Sequence, residues 1–545
     1  MRPTGLLVIV LAASPWSGLA AQRASEAAAR AEVYAGSELE TYLRNLQVVG
    51  AVPAYPWSAR RFTAAEVDRL LPSDSAHPWE LRYDWRPAPE RELSVAVARP
   101  EVATRLNSGF PYGYNDGAVW AGRGITLSVQ GGFQARYGPL AATVAPLAAW
   151  ASNSGFRLQP NGIPGASEYA DDRDTGWIDH PQRFGGGPYA LVSGGQSVVE
   201  VVKWGAVAGV SSANDYWGPA TEFPMVLGDN AGGFPHAFAG TATPVDLGIV
   251  RLQLRTLFGR LTQSAWSPQT GDPSVRAASA AVVVAMPRWP EGLELGATHF
   301  IHRRWSRRGW LLEELLAPFS LRHRPSDTYF TGTTNDSLEN RQASVFFRWV
   351  FVPAGIEVYG EYGTEDWRHN LREALVEPDH NAGYTLGLRR VTRPAPGRLR
   401  VLRAEVQDLR RGTLVQDGFF RAVQGFYGHV GLRAGHTYEG QVLGSDPGLG
   451  GAAARIAVDW YHPGGRWTVG WSRLLIREIG GASVAAKPQD PRGLDVQHTL
   501  GVEAVAFRGR YDIWAGATAV YEFNRNFRGD AFNLNLFFAV RTGLR

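Results

Sequence analysis

The chain of 545 residues contains no cysteine. That absence removes disulfides, thiolate metal sites and cysteine nucleophiles together. Beyond the N-terminus no apolar run approaches the roughly 18 residues that a membrane-crossing helix needs, so spanning helices are excluded. Charge of one sign is also missing: 55 basic and 51 acidic residues leave a net charge of +4, which implies no nucleic-acid partner. No phosphate loop, dinucleotide fingerprint, nucleophile elbow or zinc spacing occurs either.

What is present is aromatic and turn-forming. With 19 Trp, 19 Tyr, 24 Phe and 63 Gly, the composition suits an all-β protein, and a membrane barrel in particular. At the N-terminus Arg2, the apolar run 6–13 and the triplet Gly18-Leu19-Ala20 read as a secretory signal peptide over residues 1–21, cleaved after Ala20 or Ala21. An exported chain without spanning helices is integral only if it closes a barrel.

Residues 22–90 read as a small helical periplasmic cap. Leu39, Tyr42, Leu43 and Leu46 recur at helical spacing, with Gly50 as a stop; Thr63 with Glu66 fits a capping box for a second helix over 63–71, ended by Pro72. From about Leu93 the period becomes two, in some 18 segments separated by Gly, Pro, Asn and Asp, as in a transmembrane antiparallel β-barrel over residues 91–545. Phe532, Leu534, Leu536, Phe538 and Val540 alternate with Asn533, Asn535 and Arg541. Phe347 and Trp349 likewise alternate with Arg348, and Val458 and Trp460 with Asp459. One face suits lipid, the other a lumen. The lumen face then carries Arg348, Glu357, Glu361, Arg389, Arg403, Glu405, Arg455 and Asp459, interleaved charges that favour a filled interior over an open pore.

Two turn-rich stretches, 152–196 and 212–246, read as long loops. The second holds Asn214-Asp215-Tyr216-Trp217-Gly218-Pro219-Ala220 and Leu227-Gly228-Asp229-Asn230-Ala231, followed by Phe234-Pro235. Its prolines forbid a long helix, and β-like alternation on both sides hangs it on a strand scaffold. Tyr216, Trp217 and Trp177 have faces that stack on sugar rings, and Asp215, Asp229 and Asn230 have the acceptors and donors for hydroxyls; the competing reading makes the same aromatics anchors inside the barrel mouth.

The Tyr-Trp-Gly-Pro and Leu-Gly-Asp-Asn-Ala segments resemble a core motif of the capsule assembly Wzi family. Glu357-Val358-Tyr359-Gly360-Glu361-Tyr362-Gly363, Pro378-Asp379-His380 and the run 435–444, Gly-His-Thr-Tyr-Glu-Gly-Gln-Val-Leu-Gly, are similar to the same family. The resemblance implies an outer-membrane barrel that binds or organises capsular or other surface polysaccharide without catalysis; no cofactor or metal is expected, and a monomer among outer-membrane lipids is. Two rivals stay open: an oligosaccharide channel and a barrel-embedded hydrolase of glycan or lipid. The second is weakly founded, because Glu365-Asp366 and Asp171-Asp172 are sequence neighbours and strand neighbours point to opposite faces. The acidic run 171–174 lacks the spacing of a calcium loop, and His380, His429 and His436 match no metal motif.

Overall fold

The computed structural model describes residues 32–72, 76–83, 85, 93–171, 178–267, 275–320, 339–365, 375–376, 378–379, 381–410, 426–429, 432–478 and 493–542. The expected signal peptide, Asp172 to Asp174, Trp177, Asp366, His380 and the C-terminal Gly543-Leu544-Arg545 lie outside the described residues.

Eighteen antiparallel strands close into one barrel. The first six are β1 (Ser94–Asn107), β2 (Gly124–Tyr137), β3 (Leu140–Val144 with Leu147–Ala151), β4 (Tyr189–Ser193 with Val198–Lys203), β5 (Ala206–Ser211) and β6 (His236–Thr241 with Val245–Asp246). Then come β7 (Val250–Thr262), β8 (Val275–Pro287), β9 (Leu293–Arg304), β10 (Asn340–Phe351), β11 (Ile356–Glu365) and β12 (Ala382–Ala395). The circuit is completed by β13 (Arg398–Asp408), β14 (Ala452–His462), β15 (Gly465–Glu478), β16 (Leu494–Arg508), β17 (Tyr511–Phe523) and β18 (Ala531–Thr542). Pairing of β18 with β1 closes the wall, so no sheet edge is left open.

Period two sets the faces. Phe532 is 56 % exposed, whereas its neighbour Asn533 is fully buried and donates to Asn107 Oδ1 at 3.0 Å in the lumen. The same alternation turns Phe347 and Trp460 outward and Arg348 and Asp459 inward. Outward aromatics gather near both rims: Trp460 faces Trp467 across β14–β15 at one end, and Tyr521, Phe523 and Phe532 stand at the other. Connections at the first end are short, two residues at 396–397 and at most five at 288–292, while those at the second are long. Two strands begin inside stretches that read as loops: β4 starts at Tyr189 and β6 at His236. Small residues hide their period, and the 194–195 Gly-Gly break, with Gly195 at φ 55°, divides β4.

The N-terminal segment enters the lumen at the short-turn end. Helix α1 (Glu38–Val48) is capped by Ser37, whose hydroxyl accepts from Glu40 N at 3.2 Å, and Gly50 takes a positive φ beyond its end. The capping box at Thr63 and Glu66 is formed, but helix α2 (Ala64–Val67) is a single turn rather than the expected 63–71. Bonds from Arg69 N to Glu66 O and Leu70 N to Val67 O tighten the chain to i+3 turns there. The segment is no separate domain, because Leu43, Trp57 and Trp79 share one core with Val350, Val401 and Tyr461 of the barrel wall.

Its charges meet the wall at Glu357. Arg44 of α1 reaches this carboxylate at 2.7 Å, Arg348 at 2.7 Å and Arg389 at 3.9 Å, all essentially without solvent. Arg348 also pairs with Glu294, which accepts from Trp57 N and Ser58 N at 3.0 and 3.2 Å. One carboxylate surrounded by three guanidiniums is indispensable, since deleting it leaves buried like charges facing one another. Glu357→Ala is expected to cost about 3–5 kcal/mol, read as a lower temperature for the shift from folded to unfolded gel mobility. Cysteines placed at Phe347 and Trp460 should stay shielded from a water-soluble maleimide in membranes, and ready labelling of both would mean a one-residue slip of register.

Candidate functional site

The loop 212–235 does not stand out from the mouth. It folds down the lumen, where Tyr216–Trp217 pair with Ala59–Arg60 of the N-terminal segment as a two-residue ladder. Arg60 lies 3.6 Å over the Tyr216 ring and donates to Gly218 O at 3.0 Å. From the wall, Glu405 accepts three consecutive backbone N–H groups, from Thr221 at 2.7 Å, Glu222 at 3.1 Å and Phe223 at 2.6 Å, and also the Tyr359 hydroxyl at 2.6 Å. Arg403 bridges Asp459 at 2.8 Å and Glu222 at 2.5 Å, and Arg455 lies 3.3 Å from Glu222. Glu361 accepts from Ser344 at 2.6 Å and stands against Gly218, where an added Cβ would lie 2.4 Å from its carboxylate. All eight charged lumen residues expected from sequence are thus placed around this plug and the N-terminal segment.

A second long loop locks the first. The stretch Thr437–Tyr438 and Gln441–Val442 forms a hairpin whose turn residues, Glu439 and Gly440, both take positive φ. Gly228 N donates to Leu443 O at 3.0 Å, Asn230 Nδ2 to Val442 O at 3.1 Å and the Tyr427 hydroxyl to Met225 O at 2.5 Å. His436 Nε2 lies 2.6 Å from Val226 O and its Nδ1 2.8 Å from His302 Nε2. Burial pushes His436 down to about 3, so it is neutral; with its Nε2 proton on the carbonyl, its Nδ1 accepts from His302.

These contacts correct the expectation for the aromatics. Tyr216 and Trp217 are each 1 % exposed and offer no free face to a sugar, which places them with the anchoring alternative. Asp215 is buried as well: burial would raise its carboxyl, but Arg61 at 3.1 Å and His236 at 3.0 Å outweigh it and hold the group at about 2. Asp229 is half-buried against Gly36, and burial lifts it to about 8 despite Arg60 nearby. Of the expected contact residues, Asn230 lines a cavity, and Trp177 lies outside the described residues.

That cavity, of about 160 Å³, opens at the long-loop end. Asn230, Gln441 and Val442 of the plug form its floor. Tyr112, Tyr114, Asp116 and Trp120 come from the loop after β1; Asp171, His180 and Gln182 from the loop after β3; Arg477, Gln497 and Glu522 from strand ends. The Tyr112 and Tyr114 hydroxyls meet at 2.9 Å with their rings edge to face. His180 lies between Asp171 at 3.6 Å and Asp446 at 3.4 Å, and Arg477 contacts Asp171 at 3.3 Å. Below Tyr112 and Asp116 a second cavity of about 210 Å³ continues into the lumen. It exists because the inward residues of β15–β17 are small: Thr468, Gly470, Thr499, Gly501, Gly516 and Thr518 leave space that no loop fills. The stretch Phe-Pro-Tyr-Gly-Tyr-Asn-Asp-Gly at 110–117 carries the same aromatic and turn signal as 214–235 and would have marked this site.

The arrangement offers aromatic edges, amides and paired charges to a hydroxyl-rich ligand. Asp495 accepts from Asn526 N at 2.8 Å, and Glu522 accepts from Gln497 at 3.3 Å and pairs with Arg525 at 2.6 Å. Among the described residues no group of three His, Asp or Glu side chains is placed to hold a metal ion.

The class to which the fold belongs is the closed, 18-stranded antiparallel barrel, and similar solved structures are bacterial outer-membrane proteins. One is Wzi of Escherichia coli, described as an outer-membrane protein involved in group 1 capsule assembly and a carbohydrate-binding β-barrel. It shares 14 % identity, covers 92 % of this chain and 98 % of its own, and superposes with a TM-score of 0.59. OccK2 (OpdF) of Pseudomonas aeruginosa shares 10 % identity over 81 % of this chain and 96 % of its own, at a TM-score of 0.39 too low to carry an argument. No family model and no curated protein sequence matches the chain.

The Asp229 carboxyl, raised from 3.8 to about 8, gives a signed pH prediction. Between these values the folded state holds a proton that the unfolded chain has lost, so stability falls as pH rises from about 4 to about 8. Asp229→Asn should flatten that decline in a series of melts at stepped pH; an unchanged slope would assign it to other groups.

Proposed function

We propose that this chain is an outer-membrane barrel of the capsule-assembly Wzi kind, which holds a surface polysaccharide at its long-loop end without chemistry. Residues 1–21 serve as the export signal, the short-turn end faces the periplasm and the long loops face outward, following the usual asymmetry of such barrels. The observation that carries this reading is the vestibule: aromatic, amide and charged side chains drawn from several loops converge over the plug. The likeness in fold to a carbohydrate-binding barrel supports it, as do the resembling segments at 216–219, 227–231, 357–363 and 435–444, which meet in space at the plug. The plug across the lumen weighs against the channel reading.

Tyr114 is half-buried at the vestibule wall and keeps one flank toward the cavity. Tyr114→Ala is expected to weaken binding of the producing cell's own polysaccharide by about 1–3 kcal/mol, the range for stacking on an aromatic, while the melting temperature stays near wild type. Trp217→Ala should do the reverse in first effect, lowering stability by about 3–5 kcal/mol as a buried aromatic is lost. Equal polysaccharide binding by wild type and Tyr114→Ala would remove the vestibule from the function. In planar bilayers the intact protein should give no steady open-pore current, and such a current would favour the channel.

A further inference from the structure

The connection after β9 does something the barrel itself does not require. Residues 305–319 leave the mouth and fold back along the outside of the wall. The face is fixed by alternation: Leu257, Ala278, Ala280 and Phe300 point inward to the core around the plug, so Thr256, Ser279, His299 and Ile301 point outward. Helix α3 (Leu311–Leu316) and the turn after it bond to that outward set. Thr256 Oγ1 donates to Leu315 O at 2.5 Å, Ser279 Oγ to Glu314 Oε2 at 2.6 Å, and His299 Nδ1 lies 2.7 Å from Pro318 O. Trp305 stacks on Phe258 with centroids 5.9 Å apart.

The wall is shaped for this segment. Ala277, Ser279 and Ala281 form a shelf of small residues between longer neighbours on β7 and β9, and covering by the helix leaves all three buried on a face that elsewhere exposes large apolar side chains. Glu314 is 1 % exposed, and Arg303 contacts it at 3.4 Å. The other side of the segment is apolar and bare: Trp310 is 81 % exposed and Leu312 67 %, with Leu311, Leu316 and Phe319 beside them. Further along the same outward face of β9 and β10, Leu295, Ala297 and Val345 are also exposed. At the rim Arg308 lies 5.0 Å over the Trp305 ring, and Arg260 is exposed on the outward face of β7.

We infer that residues 305–319 form a lipid-binding strap. Its apolar side beds among acyl chains of the outer leaflet, and Arg260 and Arg308 hold the headgroup of an anionic, phosphate-bearing lipid. A place on the same outward face as these exposed apolar side chains selects lipid as the occupant, and two arginines at the rim select a phosphorylated headgroup over a neutral one. A short helix of this kind, with Trp305 and Trp310 ahead of its first turn, sits at the interface and does not span. The inference rests on the outer-membrane placement but not on polysaccharide binding.

The test uses the full chain purified in detergent and native mass spectrometry, with three probes: bisphosphorylated lipid A, its monophosphorylated form and phosphatidylethanolamine. Wild type should retain the bisphosphorylated lipid over the neutral one by fivefold or more, with the monophosphorylated form between. Arg260→Ser with Arg308→Ser should abolish the preference while leaving heat-modifiable mobility intact. Leu312→Ser with Leu316→Ser should reduce retention of all three lipids. No preference in wild type, or an unchanged preference in the arginine double variant, overturns the proposal. So does a change of oligomeric state in the leucine double variant with lipid retention unaltered, which would make the face a contact between proteins. Displacement of lipid A by millimolar inorganic phosphate would show that a free anion suffices, and would overturn it as well. A chain that fails to fractionate with outer membranes defeats the placement itself, a result separate from any of these.

Discussion

Glu405 illustrates the constraint on which the interior depends. A loop driven down a closed barrel brings backbone N–H and C=O groups to a place with little water, and each one left unpaired there costs free energy. The wall answers with side chains. Glu405 accepts three successive amides of residues 221–223, Glu294 accepts two at 57–58, and Arg276 donates to a carbonyl of the second long loop, while Arg60 of the N-terminal segment does the same for the first. The lumen charges are therefore not a solvated lining. They are the hydrogen-bonding partners that let irregular chain exist inside a closed barrel, a use of lumen polarity that differs from conduction.

The wall was largely legible in the sequence, and for one reason. A period of two repeated along the strands fixes which side chains face outward, and charge on the inner face then follows, as with Arg348 between Phe347 and Trp349. Even the filled lumen could be read, because opposite charges interleaved on neighbouring strands pair more readily than they line a pore. What pairs with them could not. Arg44 and Glu357 are 313 residues apart in sequence and the Asn230 amide and Val442 carbonyl 212, and no local pattern encodes a contact across such a distance.

The candidate site was legible by composition and misplaced in space. Tyr216 and Trp217 stand in a loop rich in turn formers, and an aromatic in such a loop looks alike whether it awaits a ligand or packs against Arg60. The discriminating fact is the ladder to Ala59–Arg60, which depends on an N-terminal segment read as a separate cap. The vestibule was missed because its chief aromatic contribution, at 112–120, lies in a shorter loop that drew no notice beside the two longer ones.

The external strap was illegible for a different reason. Trp310-Leu311-Leu312-Glu313-Glu314-Leu315-Leu316 has the pattern of a helix with one polar stripe, and such a helix normally turns its apolar side to the protein. Here the orientation is inverted: buried Glu314 faces the wall, and the leucines face away. Inversion is stable only where the surroundings are apolar, because in water the exposed leucines would favour turning inward and Glu314 would favour solvent over Ser279. The strap thus reports on its medium. A carboxylate sheltered against a shelf of alanine and serine, beneath leucines left bare, is the arrangement an apolar medium would favour, in keeping with the strap proposed above.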